Sequence, residues 1–145
     1  MRLLDIALSQ VGTTETPLND ILYNTWYYGR RVNGAEFPWC CVFISWCAYQ
    51  ANINQDVIPC TASVRRLRRF YEQKNLYKTA QSYTPKQGDI LFKQNTYQNH
   101  AGLVFDVTVR GIVTIEGNVG SKVILRAYTL TDNSITGYAT PQYKE

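Results

Sequence analysis

The chain has 145 residues, 45% of them hydrophobic and 13% aromatic, which is enough for one domain with a substantial core and too few for two. Its net charge of +4 is well below the dense basic cover of dedicated nucleic-acid binders, so we expect no nucleic acid as a partner. No stretch approaches the ~20 apolar residues that span a bilayer, and Asp5 and Gln10 interrupt the apolar run that a signal peptide would need. We therefore predict a single domain over residues 1–145, made in the cytoplasm without a signal peptide and without a membrane span.

Helical patterns and one long loop make up the first part of the chain. Apolar residues recur at helical spacing over residues 3–11 and predict a short amphipathic helix that ends at Gly12. Residues 13–38 hold glycines and prolines among aromatics, and predict an ordered loop with one helical turn at residues 19–23. Residues 39–51 contain no helix breaker and predict a buried helix.

The rest of the chain begins with a further helix and then changes to strand patterns. Residues 63–74 predict an amphipathic helix with Ser63 as its N-cap. After Pro85, short β-branched and aromatic runs predict five strands, at residues 89–93, 101–107, 112–115, 122–128 and 135–139. Helices followed by an antiparallel meander indicate an α+β fold, with N-terminal helices packed on a C-terminal sheet of about five strands.

Neither disulfides nor metals are expected from the composition. Cys40, Cys41 and Cys47 share one predicted helix, where adjacent residues point about 100 degrees apart and Cys40 and Cys47 lie two turns apart. The chain offers zinc neither a C-x2-C pattern nor a second histidine. The acidic residues of the N-terminal region form no calcium loop and are scattered at Glu15, Asp20 and Glu36. We therefore predict no metal, no cofactor, and activity that survives EDTA.

His100 is the only histidine in the chain, and it stands just before a predicted strand. A cysteine in the first turn of a buried helix gains thiolate character from the free N–H groups and the positive end of the helix dipole. Cys40 and Cys41 both occupy such a turn after Pro38, and their chemistry alone does not choose between them. If the chain uses Cys–His chemistry, His100 must take the thiol proton and later protonate the leaving amine.

Two polar residues, Glu116 and Asn118, follow His100 at strand spacing. They would project from one strand face if the strand continued that far, and either could orient the imidazole. Each feature alone has a simpler explanation, since a cysteine in an apolar helix is commonly a core residue and Glu-Gly-Asn is commonly a turn. Their joint order, cysteine, histidine and then acid or amide, favours a papain-like site.

Short motifs in one order along the chain now point to a family. They are the segments 7–12 with Glu15 nearby, 23–29, 38–47, 88–90, 99–102 and 114–118, followed by Gly137-Tyr138. Together they resemble the CHAP domain, the cysteine- and histidine-dependent amidohydrolase/peptidase family with a papain-like fold. The chain is most similar to the CHAP modules of endolysins from phages and prophages of Gram-positive bacteria, especially clostridia-like hosts.

The resemblance implies a peptidoglycan hydrolase that cleaves an amide bond through a thioester acyl-enzyme. It implies Cys40 as nucleophile, because the family's nucleophile directly follows the tryptophan of a Trp-Cys pair, and His100 as base. It also implies Glu116 as the residue that orients His100 and Asn118 as a further polar member of the site. The sequence does not separate an endopeptidase from an N-acetylmuramoyl-L-alanine amidase. An antibacterial toxin with the same chemistry and a non-catalytic wall-binding module are the alternatives.

The sequence leaves three sources for targeting to the cell wall. Endolysins of this kind carry a separate wall-binding domain, whereas the sequence ends at Glu145 without one. The chain would then be an excised catalytic domain, or a separate subunit or surface charge would supply targeting. We expect it to act on the cell wall after release from the host cytoplasm.

Two further groups of residues are candidates for substrate contact. Aromatic side chains of the loop and the following helix start are predicted to line the groove, at Trp26, Tyr27, Tyr28 and Trp39, although core packing is an equal alternative for Trp39. Four arginines flank the inward-pointing Leu67, at Arg65, Arg66, Arg68 and Arg69. They form either a solvated surface or a weak hold on anionic wall polymers such as teichoic acid.

Overall fold

The computed structural model describes residues 1–95 and 98–144. Four α-helices come first, followed by strands, so the predicted α+β order is confirmed. The helices are α1 (Arg2–Ser9), α2 (Leu22–Tyr28), α3 (Cys40–Gln50) and α4 (Val64–Gln73). The strands are β1 (Tyr77–Thr79), β2 (Ile90–Gln94), β3 (Asn99–Thr108), β4 (Gly111–Val119), β5 (Lys122–Tyr128) and β6 (Ile135–Ala139), with a short 3-10 helix at Ala80–Ser82.

The helices form largely where the apolar patterns place them. α3 has apolar residues on every side and is buried along most of its length, so it is the central helix of the core. α4 begins after Ser63, whose side chain accepts a hydrogen bond from the Arg66 backbone N–H (3.1 Å), as the sequence predicts for an N-cap. α1 ends earlier than expected, at Ser9, and Val11 at the end of the predicted run is exposed.

The prediction for the loop 13–38 needs correction. The helical turn expected at residues 19–23 is instead the two-turn helix α2, which contains the aromatic run that the sequence assigned to the loop. Gly29 ends α2 with a φ of 75°, and its N–H donates to the Thr25 carbonyl. The helix forms because aromatic side chains along it pack onto α3, with the Tyr23 ring 5.0 Å from that of Phe43.

The sheet has six strands in the order β1-β6-β2-β3-β4-β5, and all its pairings are antiparallel. Strands β2 to β5 form the predicted meander, but β6 returns to pair with β2 on the other side. β1, which the sequence analysis missed, is only three residues long and pairs with β6 at the edge. A strand of that length is too short to show an alternating pattern.

Two apolar clusters lie on opposite faces of the sheet. The helices cover one face, and a smaller cluster that includes Leu91, Val104 and Tyr138 fills the other. At β4 the helix layer comes very close, because a Cβ added to Gly117 would lie 2.9 Å from the Phe43 Cβ and 2.9 Å from the Trp39 ring. This glycine lets the first turn of α3 approach the strand that carries Glu116.

The free edge of β5 is covered by the chain that follows α1. The Gly12 N–H donates to the Val123 carbonyl (2.9 Å), the Val123 N–H to the Thr13 carbonyl (2.9 Å), and the Glu15 N–H to the Ser121 carbonyl (2.9 Å). This pairing satisfies groups that would otherwise form an open strand edge. Over residues 1–95 and 98–144, no helix has the length and apolar character to cross a membrane.

Candidate active site

The first turn of α3 is held in place by the loop before it. Trp39, the residue ahead of α3, is fully buried, and its Nε1–H donates to Glu15 Oε1 (2.8 Å). Glu15 Oε2 accepts from the Asn19 backbone N–H (2.9 Å), and Asn24 Nδ2 donates to the Phe37 carbonyl (2.9 Å). These bonds and the buried Trp39 ring hold the chain that leads into α3.

His100 and Glu116 face each other on neighbouring strands. His100 Nε2 lies 2.8 Å from Glu116 Oε1, and both residues are buried. The Glu116 side chain passes over Gly102, where an added Cβ would lie only 2.5 Å from Glu116 Cγ. Because Glu116 occupies Nε2, the ring nitrogen that remains for the cysteine is Nδ1.

Both carboxylate oxygens of Glu116 are occupied. Oε2 accepts from Thr114 Oγ1 (2.6 Å) and from the Tyr128 hydroxyl (2.7 Å), and the residue is 0% exposed. Burial raises the pKa of Glu116. The hydrogen bond and charge of His100, together with the hydrogen bonds from Thr114 and Tyr128, outweigh this effect and hold the pKa below its usual value. The carboxylate therefore stays ionised beside the imidazole.

Two basic residues, Lys93 and Arg126, lie near the Glu116 carboxylate. Lys93 Nζ donates to the Tyr128 hydroxyl (3.1 Å), which in turn donates to Glu116. Arg126 Nη1 lies 4.0 Å from Glu116 Oε1. The sequence analysis missed these supporting residues. Thr114 could have been found, because it stands two residues before Glu116 on the same strand and shares its face.

Cys40 stands at the start of α3, opposite His100. The pKa of its thiol lies well below the usual range, because the Cys41 thiol, His100 and the Ala101 backbone N–H stabilise the thiolate against the opposing effect of burial. Burial lowers the pKa of His100, but the Cys40 sulfur and the Glu116 carboxylate together raise it to about 9. The pair therefore favours thiolate and imidazolium, with the Cys40 backbone N–H free of any intrahelical acceptor.

Cys41 differs from its neighbour although both are buried in the same turn. Its pKa is raised well above the usual range, by the hydrogen bond to Cys40 and by burial. His100 is among the groups that lower the pKa of Cys40 and is not among those that shift the pKa of Cys41, whose thiol donates toward the Cys40 sulfur.

Asn118 does not follow the strand alternation that the sequence analysis assumed. Between the pairs Glu116–Ile124 and Val119–Lys122 the register shifts, and Asn118 has a φ of 62°, in the left-handed region. This bulge turns the residue out of the alternation that would place it on the Glu116 face. Among the described residues, no hydrogen bond joins Asn118 to His100 or to Glu116.

The four predicted groove aromatics separate into distinct positions. Trp39 is 0% exposed and bonded to Glu15, so the prediction that it lines a groove is wrong and the packing alternative holds. Trp26 packs on Tyr49 (centroids 5.3 Å apart), and Tyr49 lies nine residues after Cys40, ~13 Å along α3. Tyr27 and Tyr28 are half-buried, and Tyr28 contacts Phe37 (5.1 Å), three residues before Cys40.

Within residues 1–95 and 98–144, no group of three or more histidine, cysteine or acidic side chains is arranged to hold a metal ion. Two of the three acidic residues considered for calcium have other partners. Glu15 bonds Trp39 and Asn19, and Asp20 pairs with Arg31.

Comparison with known proteins identifies a family and solved structures that share the fold. The family model described as CHAP domain matches residues 32–118. The crystal structure of Ly7917 superposes with a TM-score of 0.60 at 17% identity, over 97% of this chain and 61% of that one. The crystal structure of Ly7917 with the hydrolyzing product of MDP gives 0.57 at 15% identity over the same shares. The chain thus spans about three fifths of the length of Ly7917 and shares its fold, and no curated protein matches it.

Proposed function

Because the chain belongs to the CHAP domain family, we propose that it hydrolyses an amide bond of bacterial peptidoglycan through a thioester on Cys40. One observation carries the proposal: a cysteine with a lowered pKa at a helix start interacts with a histidine that a buried, ionised glutamate holds from the other side. Such an arrangement costs stability, since it keeps charged groups away from water, and a cost of this kind favours a functional role for these residues. The complex of Ly7917 with the hydrolyzing product of MDP supports the choice of substrate by similarity of fold.

In the first half of the reaction, the Cys40 thiolate attacks the carbonyl carbon of the scissile amide. The carbonyl oxygen takes the negative charge, and the Cys40 backbone N–H at the free start of α3 is placed to donate to it. His100 then gives its proton to the leaving nitrogen, the C–N bond breaks, and a thioester remains on Cys40. Glu116 keeps the imidazole oriented and stabilises its charged form.

In the second half, water replaces the leaving amine. His100, now neutral, takes a proton from water as the oxygen attacks the thioester carbon. The C–S bond breaks, the acid product leaves, and the thiolate–imidazolium pair is restored. Tyr27 and Tyr28 are the aromatic side chains that we propose for contact with the substrate, and Asn118 for a polar contact at the rim of the site.

The biological setting is also part of the proposal. We assign the chain to a phage or prophage endolysin that is made in the host cytoplasm and reaches the wall after release. Binding to the wall is proposed to come from a separate domain or subunit, or from basic residues of α4. An amidase and an endopeptidase would use the same residues, because both break an amide bond.

The deciding experiment is clearing of Gram-positive cell walls by the wild type and by Cys40→Ala, His100→Ala and Cys41→Ala, with mass spectrometry of the released fragments. We expect Cys40→Ala and His100→Ala to lose activity, and Cys41→Ala to keep a reduced activity because one hydrogen-bond donor to the Cys40 sulfur is lost. The new chain ends would separate amidase from endopeptidase. If the wild type clears no wall and the Cys40→Ser variant still binds walls, the chain is a binding module. If lysis is blocked by a dedicated immunity protein, the chain is a toxin.

A further inference from the structure

A basic cleft lies between α4 and the ends of three strands. It has a volume of about 260 Å³, and the residues that line it include Arg65, Arg68, Arg69, Lys93, Asn99 and Thr136. Four of these six are cationic. The single carboxylate in the lining, Glu72, is paired with Arg68 (3.2 Å), so the cleft keeps a net positive charge.

The cleft adjoins the reacting histidine. Asn99 directly precedes His100 on β3, and Lys93 on β2 is the cross-strand partner of His100. Lys93 is also connected to the active site by hydrogen bonds through Tyr128 to Glu116. The cleft therefore borders the part of β3 that carries His100, and we take a group bound there to belong to the same substrate that reaches the histidine.

The arginines of α4 do not contribute equally. Arg68 is held in place by Glu72 and by the Tyr77 ring, whose centroid lies 4.3 Å from the guanidinium carbon. Arg65, Arg66 and Arg69 are all exposed. Arg65 and Arg69 line the cleft, and Arg66 does not. The four arginines, which look alike in the sequence, divide into three that face the cleft and one that does not.

We propose that this cleft binds a free carboxylate of the wall peptide next to the bond that is cleaved, and that Arg65 and Arg69 are its principal ligands. The inference rests on the proposed function. Guanidinium groups match carboxylates with paired hydrogen bonds, and a cluster of cations gives no advantage for a neutral sugar. A teichoic acid phosphate shares this chemistry, but the position beside His100 and the small volume fit a side group of the peptide.

The test compares two soluble peptide fragments that differ only in one group, a free carboxylate or its carboxamide. Arg65→Gln/Arg69→Gln should lower kcat/KM for the acid by about 10- to 100-fold, the range expected for lost charge-assisted hydrogen bonds. The carboxamide should be cleaved equally by this variant and the wild type. Arg66→Gln removes a charge from the same helix outside the cleft, so it should leave both rates unchanged.

Binding separates failure of this proposal from failure of the proposed function. In a Cys40→Ala background, the acid fragment should bind more weakly after the double arginine change, whether or not the wild type cleaves it. An equal effect on acid and carboxamide, or an equal effect of Arg66→Gln, would overturn the proposal. So would a loss of binding seen only with walls that carry teichoic acid, because the phosphate would then be the ligand.

Discussion

The two ends of α3 carry cysteines in opposite states. Cys40 and Cys47 lie two turns apart on one helix and both are buried, yet the pKa of Cys40 is lowered and burial raises that of Cys47. The difference comes from what surrounds each sulfur. Cys40 has the Cys41 thiol, His100 and the Ala101 N–H near it, at the start of the helix, whereas desolvation is the only cause of the shift at Cys47. Burial alone raises the pKa of a thiol, as at Cys47, whereas a buried thiol with hydrogen-bond donors and a histidine beside it can have a lowered pKa, as at Cys40.

The largest expected effect is the difference in wall cleavage between alanine variants of Cys40 and Cys47. Cys40→Ala removes the nucleophile and should abolish wall cleavage while the melting temperature stays close to that of the wild type. Cys47→Ala should keep activity and lower stability by about 1 kcal/mol, because it removes only a packed core atom. Cleavage assays and thermal melts on the two variants make the comparison. Equal activity of both variants would show that Cys40 is not the nucleophile.

Alkylation sharpens the same comparison without relying on any substrate. In a Cys60→Ser background, which removes the exposed thiol, iodoacetamide at pH 6 should label Cys40 first, because the thiolate is the reactive form. Cys47 should react only after unfolding. Peptide mapping of the labelled protein identifies the site. Preferential labelling of Cys41 would reassign the lowered pKa to the neighbouring residue.

The next effect concerns the glutamate behind His100. Glu116→Gln keeps a polar side chain of the same length but removes the charge, so we expect kcat to fall by ~10²- to 10⁴-fold. The pKa of His100 is raised to about 9, so the ring is protonated below that pH and activity should decline above it. Without the carboxylate charge, this alkaline limb should move to lower pH. Asp5→Asn, an exposed change in α1, is the control and should alter neither value.

The sequence predicted the parts of the site that depend on local pattern. The start of α3, the N-cap Ser63 and the first part of β4, predicted at residues 112–115, follow from apolar runs and capping rules, whereas β4 continues to Val119 and so includes Glu116. The support from Tyr128 and Lys93 could not be predicted, because sheet geometry brings residues from β5 and β2 to the same carboxylate. The bulge at Asn118 breaks the period of two that the prediction required.

A smaller effect is expected where Glu116 crosses β3. Gly102→Ala would place a Cβ 2.5 Å from Glu116 Cγ, and the buried carboxylate has three hydrogen bonds that oppose its movement. We expect a loss of about 1–3 kcal/mol in the free energy of unfolding, together with slower cleavage as His100 loses its support. Denaturant unfolding and kcat measured on one preparation test both. Full activity with unchanged stability would mean that the Glu116 side chain is not confined here.

The smallest effect on activity is expected from the hydrogen bond between Trp39, at the start of α3, and Glu15. Trp39→Phe keeps a ring in the core but removes the N–H that Glu15 Oε1 accepts, leaving a buried carboxylate oxygen without that donor. The expected cost is about 1–3 kcal/mol of stability, with kcat changed little, because Glu15 still bonds the Asn19 N–H and the donors around Cys40 remain. Trp46→Phe, a half-buried position on the same helix, should cost less. A large fall in kcat with unchanged stability would instead mean that the Glu15–Trp39 bond aligns Cys40. The Cys40 end of α3 would then differ from the Cys47 end in how firmly it is held, as well as in the pKa of its thiol.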